Sequence, residues 1–178
     1  MTRHFHEPRL DIHYRPEMSL LHDPAGNFSK SPSKPTRFVE HLGTTGVQAF
    51  VDARSDFVPL PCEDFLVAHT AGYIDGFFAG QAPHAGSNGL RWSPEFADTV
   101  RYTNGSLVAA VHAALTQPAL IALSPSSGFH HARPQAGSSF CTFSGQVIAA
   151  VKAWRDHGAR GAWIDLDGHL RKLDRGCA

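Results

Sequence analysis

The chain has 178 residues, of which 42% are hydrophobic, so its composition is that of a globular domain and not of a disordered segment. Sixteen lysines and arginines balance 16 aspartates and glutamates, which leaves no basic field for nucleic acid or an anionic membrane. Three cysteines without a C-x-x-C pair disfavour a disulfide framework and a zinc knuckle. Since no signal-peptide core or bilayer-length apolar run is found, we expect one cytoplasmic domain over residues 1–178.

The first half of the chain is predicted as a loop followed by short elements. Residues 1–36 contain five prolines and are predicted as loop, with His13 at the surface. A helix is expected over 36–42, stopped by a glycine, and a short strand in either "VQAFVDAR" or "DFVPLP". The apolar spacing in "CEDFLVAHTAGYIDGFFAG" predicts a helix that ends at Gly80.

The second half alternates helices with apolar strands. Ser93 and Pro94 favour the start of a helix over 93–117, and "PALIALSP" predicts a buried strand between two prolines. A helix over 144–158 and a strand in "ARGAWIDLDGH" follow. Strand, loop, helix and strand in this order form a βαβ unit, which predicts an α/β domain with a parallel sheet.

The segment "SGFHHARPQAGSSFCTF" places two adjacent histidines, His130 and His131, directly after the first of these strands. Adjacent side chains diverge on a regular element, but an irregular loop can aim both imidazoles at one cavity. Open α/β sheets bind ligands at the carboxyl ends of strands, and histidine suits proton transfer near neutral pH. From the pair alone, incidental loop polarity is the favoured interpretation, and the interpretation as a site stays open beside it.

The segment "AWIDLDGHL" spaces Asp165, Asp167 and His169 two residues apart, so that a strand would present them on one face. Mixed oxygen and nitrogen ligands suit a divalent metal such as zinc. A solvated D-x-D-G turn is the alternative. Placed at the carboxyl ends of neighbouring strands, the two clusters would bring a metal beside a histidine pair, which is a hydrolytic arrangement.

Together these segments resemble the histone deacetylase family, with its deacetylase-like amidohydrolases and acetylpolyamine amidohydrolases. "SPSSGFHHARPQAGSSFCTFSGQVIAA" is similar to the family's histidine pair, turn and helix, and "WIDLDGH" to its D-x-D-x-H metal strand. "FLVAHTAGYIDGF" is similar to its H-(T/D)-x-x-Y segment. The resemblance implies the N-terminal part of an arginase/deacetylase-like three-layer fold with a mainly parallel sheet.

The resemblance also implies metal sites. Asp167 and His169 match two of the family's zinc ligands, and another divalent metal is compatible with them. Asp165 matches an aspartate that supports the first histidine and helps to form a monovalent-cation site, which implies K⁺ near Asp165.

Four further residues match the family's reaction site. His130 and His131 match its proton-transfer pair, with His131 favoured as the general base. Phe140 matches an aromatic wall of the acyl-lysine tunnel. Ser139, next to it, stands where a glycine is usual.

The implied activity is zinc-dependent hydrolysis of an N-acetyl amide, with acetyl-lysine or an acetylpolyamine as the substrate. Zinc would polarise the carbonyl, while the histidine pair takes the proton of water and protonates the leaving amine. The alternative is a catalytically inactive fragment with at most weak metal binding. A two-metal ureohydrolase of the related arginase-like fold would need more aspartates around its histidines.

The resemblance stops at His169, and family members continue with a third zinc ligand and an oxyanion-stabilising tyrosine. Residues 170–178 read "LRKLDRGCA", which we interpret as an aberrant, frame-shifted tail. The codons CTT CGG AAA CTC GAT CGA GGA TGC GC would encode this tail. The same bases without the first C encode F-G-N-S-I-E-D-A, which resembles the family's continuation and predicts a partial domain truncated by one inserted base.

The coding DNA tests this hypothesis. We expect the second frame to stay open downstream and to encode the missing aspartate and tyrosine. A second frame that closes at once would contradict it.

Overall fold

The computed structural model describes residues 9–23, 25–117 and 120–168. Short 3-10 helices lie between the main elements and include Cys62–Val67. The strands and α-helices of the described part are β1 (Arg9–His13), α1 (Lys34–Gly43), β2 (Val51–Arg54), α2 (Ala71–Phe78), α3 (Pro94–Thr116), β3 (Leu120–Leu123) and α4 (Gly145–His157).

The strands form one parallel sheet in the order β2-β1-β3. Leu10 in the central strand is in register with Val51 on one side and Ile121 on the other. Because parallel neighbours need crossover connections, the intervening chain supplies the helices. The predicted α/β class with a parallel sheet is confirmed, as are the helices at 36–42, 93–117 and 144–158 and the strand in "PALIALSP".

Three predictions for the first half of the chain are wrong. Residues 9–13 form β1 instead of a loop, and His13 is 5% exposed instead of lying at the surface. The helix expected to end at Gly80 is divided into the 3-10 helix Cys62–Val67 and α2. The division falls at Thr70, whose backbone is extended with φ −75° and ψ 146°. Of the two sites considered for a short strand, "VQAFVDAR" contains β2.

The strand predicted in "ARGAWIDLDGH" is also wrong for the residues that the structure describes. Positions 159–168 have no strand assignment, and Ile164 and Leu166 are 84% and 91% exposed. An apolar strand is stable only when its backbone groups pair with a neighbour, and no described edge pairs with this segment. The predicted βαβ unit therefore lacks its second strand here. Asp165 and Asp167 follow irregular backbone and not a shared strand face.

Aromatic side chains are the largest members of the core. Phe65, Tyr73, Phe77 and Phe143 are at most 1% exposed and belong to one cluster with residues of α3 and α4. The rings of Phe65 and Phe143 have centroids 4.5 Å apart. Such pairs add to the free energy gained by burying their area. The core thus joins α2, α3 and α4 to the segment that ends in Phe143.

α3 is the longest helix, with 23 residues. The Ser93 hydroxyl accepts the backbone N–H of Phe96 at 3.1 Å, and Pro94 occupies the first turn, as the sequence predicts. Gly105 in its middle lets another segment approach, because a Cβ there would overlap the Val58 carbonyl oxygen. Among the described helices, none is long and apolar enough to cross a membrane.

Gly105→Ala is expected to lower the free energy of unfolding by about 1–3 kcal/mol, because the backbone at Val58 must move to admit the methyl group. The matched control is Gly72→Ala in α2, where the position of the new Cβ is open. That change should stabilise by about 0.5 kcal/mol through helix propensity. Denaturant unfolding measures both, and equal effects of the two substitutions would contradict the close approach.

Candidate active site

Residues 124–144 connect the carboxyl end of β3 to the amino end of α4, and we call this segment the histidine loop. Two isolated antiparallel bridges, Arg133–Ala136 and Ser138–Cys141, fold it into small turns. Phe143 near its end is 1% exposed and packs on Phe65. The aromatic core therefore anchors the loop where it enters α4.

His69 lies two residues before α2 and is hydrogen-bonded to the histidine loop through both of its ring nitrogens. Its Nδ1 lies 2.9 Å from the Arg133 carbonyl oxygen, and its Nε2 accepts the backbone N–H of Ser144 at 2.8 Å. Because a carbonyl only accepts and an amide only donates, the ring is neutral and carries its proton on Nδ1. The backbone N–H of Thr70 donates to the Pro134 carbonyl at 2.9 Å. Three hydrogen bonds thus fix the histidine loop to residues 69 and 70.

The electrostatics of His69 follow from this position. Burial lowers its pKa from 6.5 to about 4, and this effect exceeds the opposing effect of its backbone hydrogen bonds. A charged ring would also lose the lone pair that accepts the Ser144 N–H. His69 is consequently a positioning residue at neutral pH and not a proton carrier.

Tyr73 and Asn88 hold the same loop at Thr142. The Tyr73 hydroxyl donates to the Thr142 carbonyl at 2.7 Å, and the Asn88 amide donates to the Thr142 hydroxyl at 2.8 Å. Burial raises the pKa of Tyr73 to about 12, so the phenol keeps its proton over the physiological range. Both residues are buried and serve to place the loop.

The predicted tunnel residues Ser139 and Phe140 lie at the tip of a tight turn. The Cys141 N–H donates to the Ser138 carbonyl at 2.8 Å, and the two central residues have φ values of +46° and +66°. Positive φ at both central positions is the pattern of a type I′ turn, in which glycine is favoured. Ser139 therefore occupies the conformation that explains a glycine at the matching family position.

The turn places the Phe140 ring beside Phe28, an exposed aromatic side chain from the segment between β1 and α1. Its centroid lies 5.8 Å from that of Phe28, at an interplanar angle of 70°. Phe28 is 80% exposed, so this edge-to-face pair borders solvent. The pair forms an aromatic surface at one end of the histidine loop.

The structure brings the predicted pair His130 and His131 together. Their ring centroids are 4.0 Å apart at an angle of 68°. The side chain of His130 is 11% exposed, and its Nε2 is buried without a hydrogen-bond partner among the described residues. A ring nitrogen in this state is available to a substrate or water that enters the site.

Asp165 reaches the histidine pair although its segment is not a strand. Its Oδ2 lies 3.3 Å from the His130 Nδ1, while its Oδ1 accepts the backbone N–H of Asp167 at 3.0 Å. The hydrogen bond from the Asp167 N–H closes a local turn in which an aspartate side chain accepts from the backbone two residues later. The D-x-D segment therefore meets the histidine loop through Asp165, whose side chain is 53% exposed.

The predicted zinc site fits the described residues less well than the predicted histidine pair does. No group of three or more histidine, cysteine, aspartate or glutamate side chains in residues 9–23, 25–117 and 120–168 could hold a metal ion. Asp167 lies in an exposed stretch, and His169, the other predicted ligand, falls outside the described residues. A catalytic zinc takes three protein ligands. The described residues alone do not supply such a set.

Sequence reasoning gave no role to His69 and did not identify Phe28. The signal for His69 was the H-(T/D)-x-x-Y resemblance of "FLVAHTAGYIDGF", in which His69 is the histidine and Tyr73 the tyrosine. Phe28 had no local signal, since it lies in a stretch without periodicity.

The buried His69 predicts a pH dependence of stability. Its folded pKa is depressed, so the unfolded chain takes up the proton first as the pH falls. This contribution is complete above about pH 6.5 and is lost between about pH 6.5 and 4, by at most roughly 1.4 kcal/mol per pH unit. His69→Gln should flatten the curve of unfolding free energy against pH.

The matched control is His22→Gln at an exposed position, which should keep the full slope. A residual slope is expected in His69→Gln, because burial also lowers the pKa of His13. Identical slopes in His69→Gln and the wild type would contradict the neutral, buried ring.

Comparison with known proteins identifies the family. A family model described as the histone deacetylase domain matches residues 29–170, which include the histidine loop and the D-x-D segment. No curated protein matches the chain. The match covers well over half of the sequence, and its α/β fold with a parallel sheet is that of arginases and deacetylases. The chain therefore belongs to the histone deacetylase family.

Proposed function

We propose that this domain hydrolyses N-acetyl amides in a zinc-dependent reaction, with acetyl-lysine or an acetylpolyamine as the substrate. The observation that carries the proposal is the 3.3 Å contact between the His130 Nδ1 and the Asp165 Oδ2. It joins the two segments on which the hydrolytic interpretation depends. Family membership supports a deacetylase or amidohydrolase class.

In this proposal Asp165 orients the ring of His130 through the contact at Nδ1. A carboxylate beside one ring nitrogen fixes the ring and leaves the other nitrogen directed to the reacting atoms. The Nε2 of His130 is the nitrogen that has no partner among the described residues. His131, in ring contact with it, is the proposed general base that takes the proton of water.

Zinc enters the proposal through Asp167 and His169, and it would supply an electrophile for the carbonyl oxygen. Because the described residues do not form a complete ligand set, we derive no step through the metal. We also propose a K⁺ ion beside Asp165, which, like the zinc ligands, is implied by the family resemblance.

Phe140 and Ser139 are proposed as part of the substrate channel. The methylene groups of an acyl-lysine or acylpolyamine are apolar, and an aromatic face binds such a stem while its polar end enters the site. The edge-to-face contact with Phe28 extends this aromatic surface toward solvent.

A second candidate is a catalytically inactive fragment that binds metal weakly. The exposure of Ile164 and Leu166 favours it, because these apolar side chains of the segment that carries both proposed carboxylates are not buried against the described fold. An exposed segment holds ligands with less preorganisation than a rigid strand does.

Hydrolysis of an acetyl-lysine peptide and of an acetylpolyamine, measured together with zinc content, tests the proposal. We expect near-stoichiometric zinc and hydrolysis, with His131→Ala lowering kcat by about 10²–10⁴-fold. Asp165→Asn should lower kcat less and shift its pH profile, since it acts through His130. His41→Ala at an exposed position is the control and should leave both readings unchanged.

Tight zinc binding without hydrolysis, or the absence of both, would contradict the proposed enzyme. The absence of both is the result that the inactive-fragment candidate predicts.

A further inference from the structure

A second pair of histidines lies at the other end of the sheet from the histidine loop. His112 is near the end of α3, which closes at Thr116, and His157 is the last residue of α4. Since α3 leads into the start of β3 at Leu120, this pair lies near the amino end of that strand. The histidine loop follows the carboxyl end of the same strand.

The two imidazoles face each other with nitrogen against nitrogen. The Nδ1 of His112 is 2.9 Å from the Nε2 of His157, and the ring centroids are 4.8 Å apart. Both side chains are exposed, so a solute reaches them without any change of the fold. The helices fix the spacing of the rings, because α3 and α4 pack on the same core.

This spacing suits a metal ion held by two nitrogens. Two metal–nitrogen bonds of about 2.0 Å at a right angle place their nitrogens about 2.8–2.9 Å apart. A tetrahedral ion would need about 3.3 Å. Right-angled coordination by nitrogen and oxygen is the preference of Cu²⁺ and Ni²⁺, and Cu²⁺ binds most tightly in the series of divalent ions.

The surroundings also favour a cation. The partial negative charge of a helix dipole is at its carboxyl end, where His157 is the last residue of α4, while His112 lies before the last turn of α3. The pair lines an open groove of about 690 Å³. Four carboxylates against two cations leave this groove net negative: Asp11, Asp56, Asp64 and Asp156 against Arg54 and Lys152.

We propose that His112 and His157 form a surface binding site for a divalent transition-metal ion, Cu²⁺ by geometry, which links the ends of α3 and α4. The ion takes the place of the hydrogen between the two facing nitrogens. The ring that donated this hydrogen is re-protonated on its other nitrogen, so no net proton is released from the neutral pair. Water fills the remaining positions. This site is independent of the proposed deacetylase reaction.

Thermal unfolding of the full chain, without a histidine tag, tests the site with CuCl₂ as the probe. At a hundredfold excess of Cu²⁺ over its Kd, the midpoint of the wild type should rise by roughly 5–10 °C. A chelator should reverse this rise. At the same Cu²⁺ concentration, His112→Ala and His157→Ala should each reduce it to about half or less, whereas His41→Ala, in the last turn of α1, should keep it in full.

Tryptophan fluorescence gives a second reading at a temperature where every variant is folded. Trp154 is three residues before His157 on α4 and 58% exposed, so bound Cu²⁺ should quench it. Each alanine variant should bind about tenfold more weakly or worse in this titration. Copper sites elsewhere on the chain are the same in all variants and cancel in the comparison.

Two results would overturn the proposal. One is a wild-type chain whose midpoint and Trp154 fluorescence do not respond to Cu²⁺. The other is an undiminished response in both His112→Ala and His157→Ala.

Discussion

The ring of His69 holds the histidine loop of this domain in place. It donates one hydrogen bond to the Arg133 carbonyl and accepts another from the Ser144 N–H. Arg133 lies in the first small turn of the loop, and Ser144 is the last residue of the loop. Both bonds require one neutral tautomer, and burial keeps the ring neutral by lowering its pKa to about 4. The Thr70 N–H, the Tyr73 hydroxyl and the Asn88 side chain add further hydrogen bonds to the same loop.

The other features of the site follow from where that loop is fixed. Phe143 inserts into the aromatic core, and the Tyr73 hydroxyl holds the Thr142 carbonyl beside it. The turn at Ser139 then projects Phe140, while the preceding residues bring His130 and His131 into ring contact. A rigid frame of buried, neutral groups therefore positions the polar groups that are proposed to react. This separation of roles keeps titration near neutral pH away from the groups that maintain the fold.

Much of the helical architecture is predictable from local signals. Ser93 and Pro94 mark the start of α3, and the glycine at position 158 ends α4 in a left-handed conformation with φ +63°. These signals act within one turn, so a sequence pattern contains them. The prolines around "ALIAL" likewise bound β3 without any tertiary information.

The wrong predictions lie where contacts between residues distant in sequence determine the local structure. β1 is short and lies among prolines, and it becomes a strand because β2 and β3 pair with both of its edges. The helix through His69 breaks because that ring bonds to residues far along the chain. The D-x-D segment has the alternation of a strand, yet a strand also needs a partner edge. The motif still predicted that Asp165 and His130 lie close together, while its strand geometry was wrong.

The placement of the histidine loop requires above all that His69 is neutral with its proton on Nδ1. Long-range proton–nitrogen NMR correlation of the folded chain reads the protonation and tautomer of each imidazole ring. The predicted spectrum shows His69 as the Nδ1–H tautomer, unchanged from pH 7.5 to pH 5.5. An Nε2–H tautomer, or a His69 that gains its second proton within that range, would contradict the hydrogen bonds on which the site depends.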